Sequence, residues 1–428
     1  MKYGVITHKT TLNLGDDIQT YAAARLLPRV DYYLTRECLD HFASEDGEPV
    51  AVPMNAWWLW SKWNWPPAEC IYPLLVSMHI GERDIYASGS PMKREWLDGI
   101  GGDFFRAYGP AGCRDAATVE LLQSCGIDSY LSGCLTLTLP QQKKTEDAGT
   151  YACLVDLPPA LEEKAREWLK DTGLRIVTQS HRCDYLNVEV PFDRRMKTVE
   201  EVLTLYQNAK VVITSRLHAT LPCLAMGTPV VSIFDQSSPL YSTRWAPYSD
   251  WTFFVSKQDF ANHAFDYDFS SPPANSPDYL PLRQALLERV GQFVAETKDF
   301  NGPIQAIKKT AYTEAQARQW QYDLMRNTLD AWLLASREMR AKNKEQAAGL
   351  KKQIADGKTA LSARKQEIAG YKKEIAGQKK ALAAANRRIA KTQNELDQLN
   401  RMFIVRCVKF ARRKAGALLR LFRRPRKL

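Results

Sequence analysis

The sequence predicts an α/β protein with two doubly wound, Rossmann-like lobes that face a cleft, followed by a long C-terminal helix or coiled coil and a basic amphipathic tail. Up to about residue 300, short β-branched segments alternate with segments of helical apolar spacing, as in parallel sheets covered on both faces. The polar stretch QQKKTEDAGT interrupts the alternation once. We therefore expect an N-terminal lobe at 1–140, a second lobe at 150–300, a helical connection at 303–336, a heptad-repeat helix at 337–400 and the tail at 401–428.

The first lobe opens with the strand KYGVITH, the loop KTTLNLG and the helix DDIQTYAAARLL. PLLVSMHIG and DIYASGSP predict two further buried strands, and GCRDAATVELLQSCGIDSYLSGCLTLTLP predicts a helix followed by a strand. Five tryptophans lie between the first helix and PLLVSMHIG, and their faces suit either stacking on sugar rings or packing as a cap over the sheet. They are Trp57, Trp58, Trp60, Trp63 and Trp65.

The second lobe has clearer boundaries between its elements. YACLVDL, LRIVTQS, KVVITS and TPVVSIF predict strands, and TVEEVLTLYQNA and RLHATLPCLAMG predict helices. The segment PALEEKAREWLKDTG predicts a helix that begins at proline and is closed by Gly173. Because ligands of such sheets bind at the carboxyl ends of the strands, we look for the site there.

The positive charge is confined to one part of the chain. Residues 1–336 contain 32 Lys and Arg against 41 Asp and Glu, whereas residues 337–428 contain 27 against 7. The net charge of +11 therefore arises in the C-terminal quarter and does not indicate nucleic-acid binding by the lobes.

Cysteine spacing and the N-terminus indicate a cytoplasmic protein. The nine cysteines form no Cys-x-x-Cys pair or zinc-like spacing, so we expect reduced thiols and no metal site. No apolar signal core opens the chain, and no stretch has the roughly 18 apolar residues of a membrane-spanning helix.

A strict seven-residue repeat predicts that 337–400 forms a rod that associates with itself. Three of its glycines, Gly357, Gly370 and Gly377, each cost about 1 kcal/mol inside a helix, so the rod needs a partner. The alternative is a flexible Lys/Ala arm. The apolar stripe consists of Ile354, Leu361, Ile368, Ile375, Leu382, Ile389 and Leu396.

The tail at 401–428 carries eleven Lys and Arg and no acid, interleaved with Phe, Ile, Val and Leu. This pattern is typical of a helix that lies on an anionic membrane surface. A solvated basic tail is the alternative. Nucleic acid fits less well, because the aliphatic content exceeds what phosphate contacts require.

The segment from Ser215 to His218 joins a strand to a helix in the second lobe. We expect Ser215 to cap the helix, with free amides and the positive helix end gathered at a phosphate. Arg216 adds a planar cationic fork, and His218 adds a group that exchanges protons near neutral pH. The alternative is that Arg216 pairs with a core carboxylate and His218 caps a carbonyl.

Two further groups lie at equivalent places in the first lobe. Asn13, Gly15, Asp16 and Asp17 stand between a strand and a helix, where a carboxylate either caps the helix or contacts sugar hydroxyls. Arg114 is a second candidate anion ligand, although an Arg next to an Asp often forms a local ion pair.

Together these stretches resemble the polysaccharide pyruvyl transferase family. The resemblance spans roughly residues 1–300 and is carried by NLGDDIQTYAA, WPPAECIYPLLVSMHI, the GCRDAAT segment and ITSRLHATLPCLAMGTPVV. It implies a two-lobed fold similar to glycosyltransferase type B, with the first lobe on the acceptor side and the second on the donor side. It also implies phosphoenolpyruvate as donor, no other cofactor, and a pyruvyl ketal on a sugar as product.

The resemblance assigns roles to the candidate residues. Arg216, Leu217 and His218 match the segment expected to hold phosphoenolpyruvate, and Arg114 occupies the family's other arginine motif. Asn13, Gly15, Asp16 and Asp17 match the loop that faces the cleft. His218 is then the acid or base, and Asp16 or Asp17 acts on the acceptor.

The sequence favours a pyruvyl transferase that acts on a surface or lipid-linked polysaccharide and is held at the inner membrane face by its tail. A nucleotide-sugar glycosyltransferase of the same fold is the alternative enzyme. A membrane-tethered oligomeric scaffold is the alternative without catalysis.

Overall fold

The fold is described from a computed structural model of the 428-residue chain. The structure describes residues 1–8, 11–45, 47–58, 64–81, 94–141, 143–183, 190–235 and 244–421. For residues 94 and 415–421 it describes the backbone but not the side chains. The predicted strand DIYASGSP, Trp60, Trp63 and the end of the tail lie outside them. The chain divides into two compact units, Met1–Trp332 and Leu333–Leu428.

The first sheet is parallel and has the strand order β2-β1-β3-β5. Strands β4 and β6 form a separate, short parallel pair. The elements of this region are β1 (Lys2–Thr7), α1 (Leu14–Ala24), β2 (Tyr32–Thr35), β3 (Val50–Pro53), β4 (Trp57–Trp58), β5 (Ile71–Leu74) and β6 (His79–Ile80).

The first region continues with a second parallel pair, β7 and β8. Gly112 N donates to Leu75 O at 2.9 Å, and Met78 N donates to Gly112 O at 3.0 Å, so β7 runs beside the segment that follows β5. This pairing brings the residues after β7 next to His79. The elements are α2 (Arg94–Leu97), α3 (Ile100–Tyr108), β7 (Ala111–Cys113), α4 (Ala116–Ser124) and β8 (Ser129–Leu131).

The second sheet contains five parallel strands in the order β10-β9-β11-β12-β13. Its strands and helices are β9 (Tyr151–Val155), α5 (Pro159–Leu169), β10 (Arg175–Gln179), α6 (Phe192–Asn208), β11 (Val211–Thr214), α7 (Leu217–Met226), β12 (Val230–Phe234), β13 (Phe253–Ser256) and α8 (Lys257–Asn262). Helix α6 begins earlier than predicted, and β13 was not predicted.

Helix α9 (Leu280–Thr297) returns to the first sheet. Tyr3 Oη lies 3.1 Å from Thr297 Oγ1, and the rings of Tyr72 and Phe293 stack with centroids 5.9 Å apart. Short 3₁₀ segments lie at Arg36–His41, Leu135–Thr138, Ala246–Trp251, Pro277–Tyr279 and Ile304–Ala306.

The packing of the tryptophans distinguishes between the two alternatives for the aromatic segment, which were stacking on sugar rings and packing as a cap over the sheet. Trp58 and Trp65 are buried in the core of the first region, as a packed cap requires, whereas Trp57 stays partly exposed. Of the tryptophans that the structure describes between 57 and 65, Trp57 alone remains available to a sugar.

Helix α10 (Glu314–Leu421) is continuous through Gly357, Gly370 and Gly377. The seven side chains of the predicted heptad stripe are 50–64% exposed in the single chain. Within the described residues, no helix combines the length and apolarity required to cross a bilayer.

The predicted fold class is confirmed. Both sheets are parallel, α/β connections link their strands, and a long C-terminal helix follows.

Candidate active site between the two sheets

Helix α7 begins at the carboxyl end of β11, as predicted. Its N-cap residue is Arg216, so the prediction that Ser215 caps the helix is wrong. Ser215 lies one residue too early, and its hydroxyl donates to the carbonyl of Asp156 at 3.1 Å. The Leu217 side chain packs in the core, so a ligand at this position can contact only its backbone.

Arg216 has both a carboxylate partner and an open side. Its Nε donates to Asp156 Oδ2 at 2.9 Å, and 47% of its side chain remains exposed. Asp156 also accepts hydrogen bonds from Ser180 Oγ at 2.7 Å and His181 N at 3.0 Å. Burial raises the pKa of the Asp156 carboxyl, but these bonds and the charge of Arg216 outweigh burial and lower it. The ion-pair alternative therefore holds for Arg216, although much of its surface can still meet an anion.

His218 stands in the first turn of α7, where the two lobes meet. Its Nε2 lies 3.4 Å from Nη1 of Arg114. Gly15 lies against the other side of the ring, since a Cβ added there would be 3.2 Å from His218 Nδ1. Because Gly15 has no side chain, it leaves room for the imidazole. The predicted N-terminal loop therefore contacts α7.

The surroundings keep His218 neutral. Burial, followed by the charges of Arg114 and Arg244, holds the pKa of His218 well below its usual value of 6.5. The lowered pKa makes this neutral imidazole a weak base. It becomes a proton donor only when a nearby anion offsets the two arginines.

Arg114 is a buried cation whose charge is not balanced in an ion pair by any carboxylate of the described residues. Its Nη1 donates to Gln19 Oε1 at 2.8 Å, its amide donates to Met78 O at 2.8 Å, and its carbonyl accepts from Tyr248 Oη at 2.5 Å. Among the described residues, its Nε has no hydrogen-bond partner and no carboxylate forms an ion pair with it. The alternative of a local ion pair with Asp115 is therefore wrong. A buried charge without a counter-charge is costly, and an anionic ligand would supply one.

Asp115 instead caps helix α4 and binds a histidine. Its Oδ1 accepts from the amide and hydroxyl of Thr118, both at 2.9 Å, and its Oδ2 lies 2.6 Å from His79 Nδ1. Burial raises the pKa of Asp115, but the contact with His79 outweighs burial and lowers it. Burial and the charge of Arg114 lower the pKa of His79 to about 4.

Asn13 is the N-cap of α1, since its Oδ1 accepts from Gly15 N at 3.2 Å. The alternative that Asp16 caps this helix is therefore wrong. Asp16 accepts from Gln19 Nε2 at 3.2 Å, so a polar chain runs from Asp16 through Gln19 to Arg114. Burial opposes the charged form of Asp16, yet nearby cationic groups outweigh burial and lower its pKa.

Asp17 faces the second lobe and pairs with Arg195 of α6. Arg195 Nε donates to Asp17 Oδ2 at 3.1 Å, and a second, shorter bond joins Nη2 to Oδ1. Burial raises the pKa of Asp17 to about 6, against the effect of Arg195. Both groups are buried, so Asp17 is held in an ion pair that joins the lobes.

The backbone also joins the lobes at this place. Leu14 N donates to His181 O, and Cys183 N donates to Leu12 O, each at 2.7 Å. An antiparallel bridge between Asn13 and Arg182 lies between these bonds. The N-terminal loop is thereby fixed against the segment that follows β10.

Sequence reasoning missed four residues of this site. Asp156 ends the predicted strand YACLVDL, so its position at the carboxyl end of a strand could have marked it. Gln19, His79 and Arg195 carried no local signal, because only tertiary packing brings them to the interface. In the described part of the chain, no group of three or more His, Cys, Asp and Glu side chains is arranged to hold a metal ion.

The sequence model of the polysaccharide pyruvyl transferase family matches residues 13–234, a little more than half of the chain. The chain therefore belongs to this family, and the family is one of transferases. The predicted membership is confirmed. No curated protein matches the chain by sequence.

Several solved structures share a weak similarity with the chain. An uncharacterised protein of Klebsiella pneumoniae is 11% identical over 57% of this chain and 88% of its own, with a TM-score of 0.34. A heptosyltransferase of E. coli is 14% identical over 69% and 99%, with a TM-score of 0.31. The UDP-GlcNAc 2-epimerase of Methanocaldococcus jannaschii is 10% identical over 76% and 99%, with a TM-score of 0.30. Similarities of this size carry no functional inference.

Proposed function

We propose that the protein transfers the enolpyruvyl group of phosphoenolpyruvate onto two hydroxyls of a glycan as a ketal. The observation that carries this proposal is the buried guanidinium of Arg114, which has no ionic partner within the described residues and lies 3.4 Å from His218. The family match supports a pyruvyl transferase. Phosphoenolpyruvate is a compact anion that would complete the charge balance of Arg114.

The donor would lie between Arg114, the first turn of α7 and the open side of Arg216. Arginines and a helix N-terminus are suitable ligands for its phosphate and carboxylate. Its negative charge would also raise the pKa of His218, because it offsets the arginines that lower that pKa. His218 would then deliver a proton to C3 of the enolpyruvyl group.

Proton transfer to C3 leaves C2 open to attack by a sugar hydroxyl. Phosphate departs with the electron pair of its bond to C2, and a second hydroxyl closes the ketal. Of the two hydroxyl protons, one leaves with phosphate and the other replaces the proton that His218 gave to C3. The reaction is therefore balanced without any further reactant.

The test combines binding and turnover. Wild-type protein and Arg114→Gln are incubated with phosphoenolpyruvate and a panel of p-nitrophenyl glycosides, and phosphate release and ketal mass are measured. We expect turnover by the wild type and its loss in Arg114→Gln, with Arg29→Gln at the exposed Arg29–Asp31 pair as control. Heat protection by a nucleoside diphosphate, but not by phosphoenolpyruvate, would instead favour the nucleotide-sugar glycosyltransferase. If Arg216 and His218 variants leave the cellular phenotype intact while deletion of 337–428 destroys it, the scaffold alternative is favoured.

For the C-terminal segments, we infer that 337–400 forms a homo-oligomer and that 401–428 binds the inner membrane face. The described part of the tail exposes Phe403 (68%), Ile404 (60%) and Phe410 (64%) among its cations. Such a surface matches anionic headgroups above an apolar layer.

Vesicle sedimentation tests the tail. The full chain should sediment with phosphatidylserine vesicles but not with phosphatidylcholine vesicles, and Phe403→Ser with Ile404→Ser should weaken this binding. Equal binding of the double variant would contradict insertion of these side chains.

A further inference from the structure

The acceptor side of the site contains several buried polar atoms that lack a partner. Among the described residues, no hydrogen bond reaches Asn55 Oδ1, Trp57 Nε1, His79 Nε2 or Arg114 Nε. Unpaired buried polar atoms are uncommon in folded proteins, and each calls for an explanation. Two of these four are acceptors and two are donors.

The four residues are connected through Met78, whose carbonyl accepts from Arg114 N at 2.8 Å and which precedes His79 in the chain. Asn55 Nδ2 donates to Gln19 O at 2.9 Å, and Gln19 Oε1 accepts from Arg114. The rings of Trp57 and His79 have centroids 5.4 Å apart. A ligand with several hydroxyls would satisfy alternating donors and acceptors beside an aromatic ring, as a sugar does.

His79 has the geometry of a general base. Asp115 holds Nδ1 at 2.6 Å, and Asp115 is itself fixed by Thr118, so the imidazole has one orientation and one tautomer. With Nδ1–H directed at the carboxylate, Nε2 carries the lone pair. The nitrogen without a partner is thus the one able to take a proton.

We propose that His79, oriented by Asp115, is a catalytic residue that takes the proton from the acceptor sugar hydroxyl in a subsite formed with Asn55, Trp57 and Arg114. This inference rests on the proposed function and moves the acceptor chemistry from the Asp16 and Asp17 carboxylates to an imidazole. The hydroxyl oxygen forms its bond to C2 of the donor, the electrons of its O–H bond stay on oxygen, and the proton passes to Nε2. His79 then returns that proton to the departing phosphate.

Burial and the charge of Arg114 lower the pKa of His79 to about 4 and so weaken it as a base, and a bound donor anion that offsets Arg114 would raise this pKa toward the working pH. The imidazole is neutral and unprotonated at Nε2 over the neutral pH range. Asp115 would stabilise the imidazolium that forms during the transfer, because an ionised carboxylate next to Nδ1–H favours the cation. Asp115 is accordingly a positioning residue.

The first test needs no acceptor. Nitrogen-15 NMR of histidine-labelled full-length protein at pH 7 should show His79 protonated at Nδ1 and unprotonated at Nε2. In Asp115→Asn the amide keeps the oxygen that caps α4 but presents its NH₂ group to Nδ1, so the tautomer should reverse. A wild-type protein with Nε2 protonated would overturn the proposal, whatever its activity.

The second test compares rates. His79→Gln and Asp115→Asn should lower ketal formation on p-nitrophenyl glycosides by about 10²–10⁴-fold, while the dissociation constant of phosphoenolpyruvate stays unchanged. His41→Gln, at an exposed histidine, is the matched control. Unaltered turnover in a folded His79→Gln variant would contradict the role of His79 but not the proposed function. Failure of the wild type to bind phosphoenolpyruvate or to modify any glycan overturns the proposed function as well.

Discussion

Nη1 of Arg114 lies 3.4 Å from Nε2 of His218, although the two residues follow strands of different sheets. The guanidinium lowers the pKa of the imidazole. The imidazole is therefore neutral and provides no negative charge to balance the guanidinium. An anion bound here would relieve both effects. The predictions below examine this contact, the contacts that join the lobes and the long helix.

Replacing Arg114 should separate binding from stability. In Arg114→Met the loss of a buried charge offsets the loss of the bond to Gln19, so we expect the free energy of unfolding to change by less than about 2 kcal/mol. The stabilisation by phosphoenolpyruvate, about 2.7 kcal/mol at a hundred times Kd, should disappear. Urea denaturation with and without phosphoenolpyruvate measures both, and Arg29→Met is the control. Retained stabilisation in Arg114→Met would exclude Arg114 as the anion ligand.

Binding of phosphoenolpyruvate should be coupled to proton uptake by His218. The pKa of His218 lies well below 6.5, and a bound anion would raise it. The affinity of the wild type should therefore fall as pH rises through neutrality, relative to His218→Gln. Titration calorimetry in buffers of different ionisation enthalpy measures the protons taken up. The same uptake in His218→Gln would assign the proton to another group.

The buried histidines should make the fold sensitive to acid. Burial is the main cause that lowers the pKa of His8 to about 3 and of His79 and His181 to about 4. Below pH 6.5 the unfolded chain gains protons that the folded protein does not bind, so stability falls until the folded pKa values are reached. Each such histidine contributes about 1.4 kcal/mol per pH unit in this window. Urea midpoints from pH 7.5 to 4.5 measure the slope, which should be shallower in His181→Gln than in the wild type.

The pair between Asp17 and Arg195 should be a strong coupling across the lobes. Removing either side chain takes from the other, buried charge its ion-pair partner, so Asp17→Asn and Arg195→Met should each cost about 3–5 kcal/mol. The double variant should cost clearly less than the sum, and chemical denaturation of the four proteins gives the coupling energy. Additive losses would show that the two side chains act independently.

The heptad stripe should govern association. Ile368→Ser with Ile375→Ser removes two side chains that are 52% and 51% exposed in the single chain, so folding of the chain itself should be unaffected. Sedimentation velocity should show a smaller species than the wild type, whereas Lys372→Ser with Lys379→Ser should leave the species unchanged. A wild-type protein that sediments as a monomer at all concentrations contradicts the proposed oligomer.

Local patterns in the sequence predicted β1 and α1 of the first lobe and most elements of the second. Apolar segments gave β9, β10, β11 and β12, and the loop NLGDD and the segment SRLH were recognised as junctions between strands and helices. Strand and helix signals are local, because side-chain period and turn residues act over a few positions. The seven-residue repeat likewise predicted the long helix.

Tertiary structure alone decided which candidates meet and which do not. Asp16 and Asp17 are adjacent in sequence, yet one belongs to the chain that leads to Arg114 and the other is buried against Arg195. Arg114 is next to Asp115 but forms no ion pair with a carboxylate of the described residues, and His79 becomes the partner of Asp115 through strand pairing. Charge partners depend on contacts between residues far apart in the chain, and composition and spacing carry no record of those contacts.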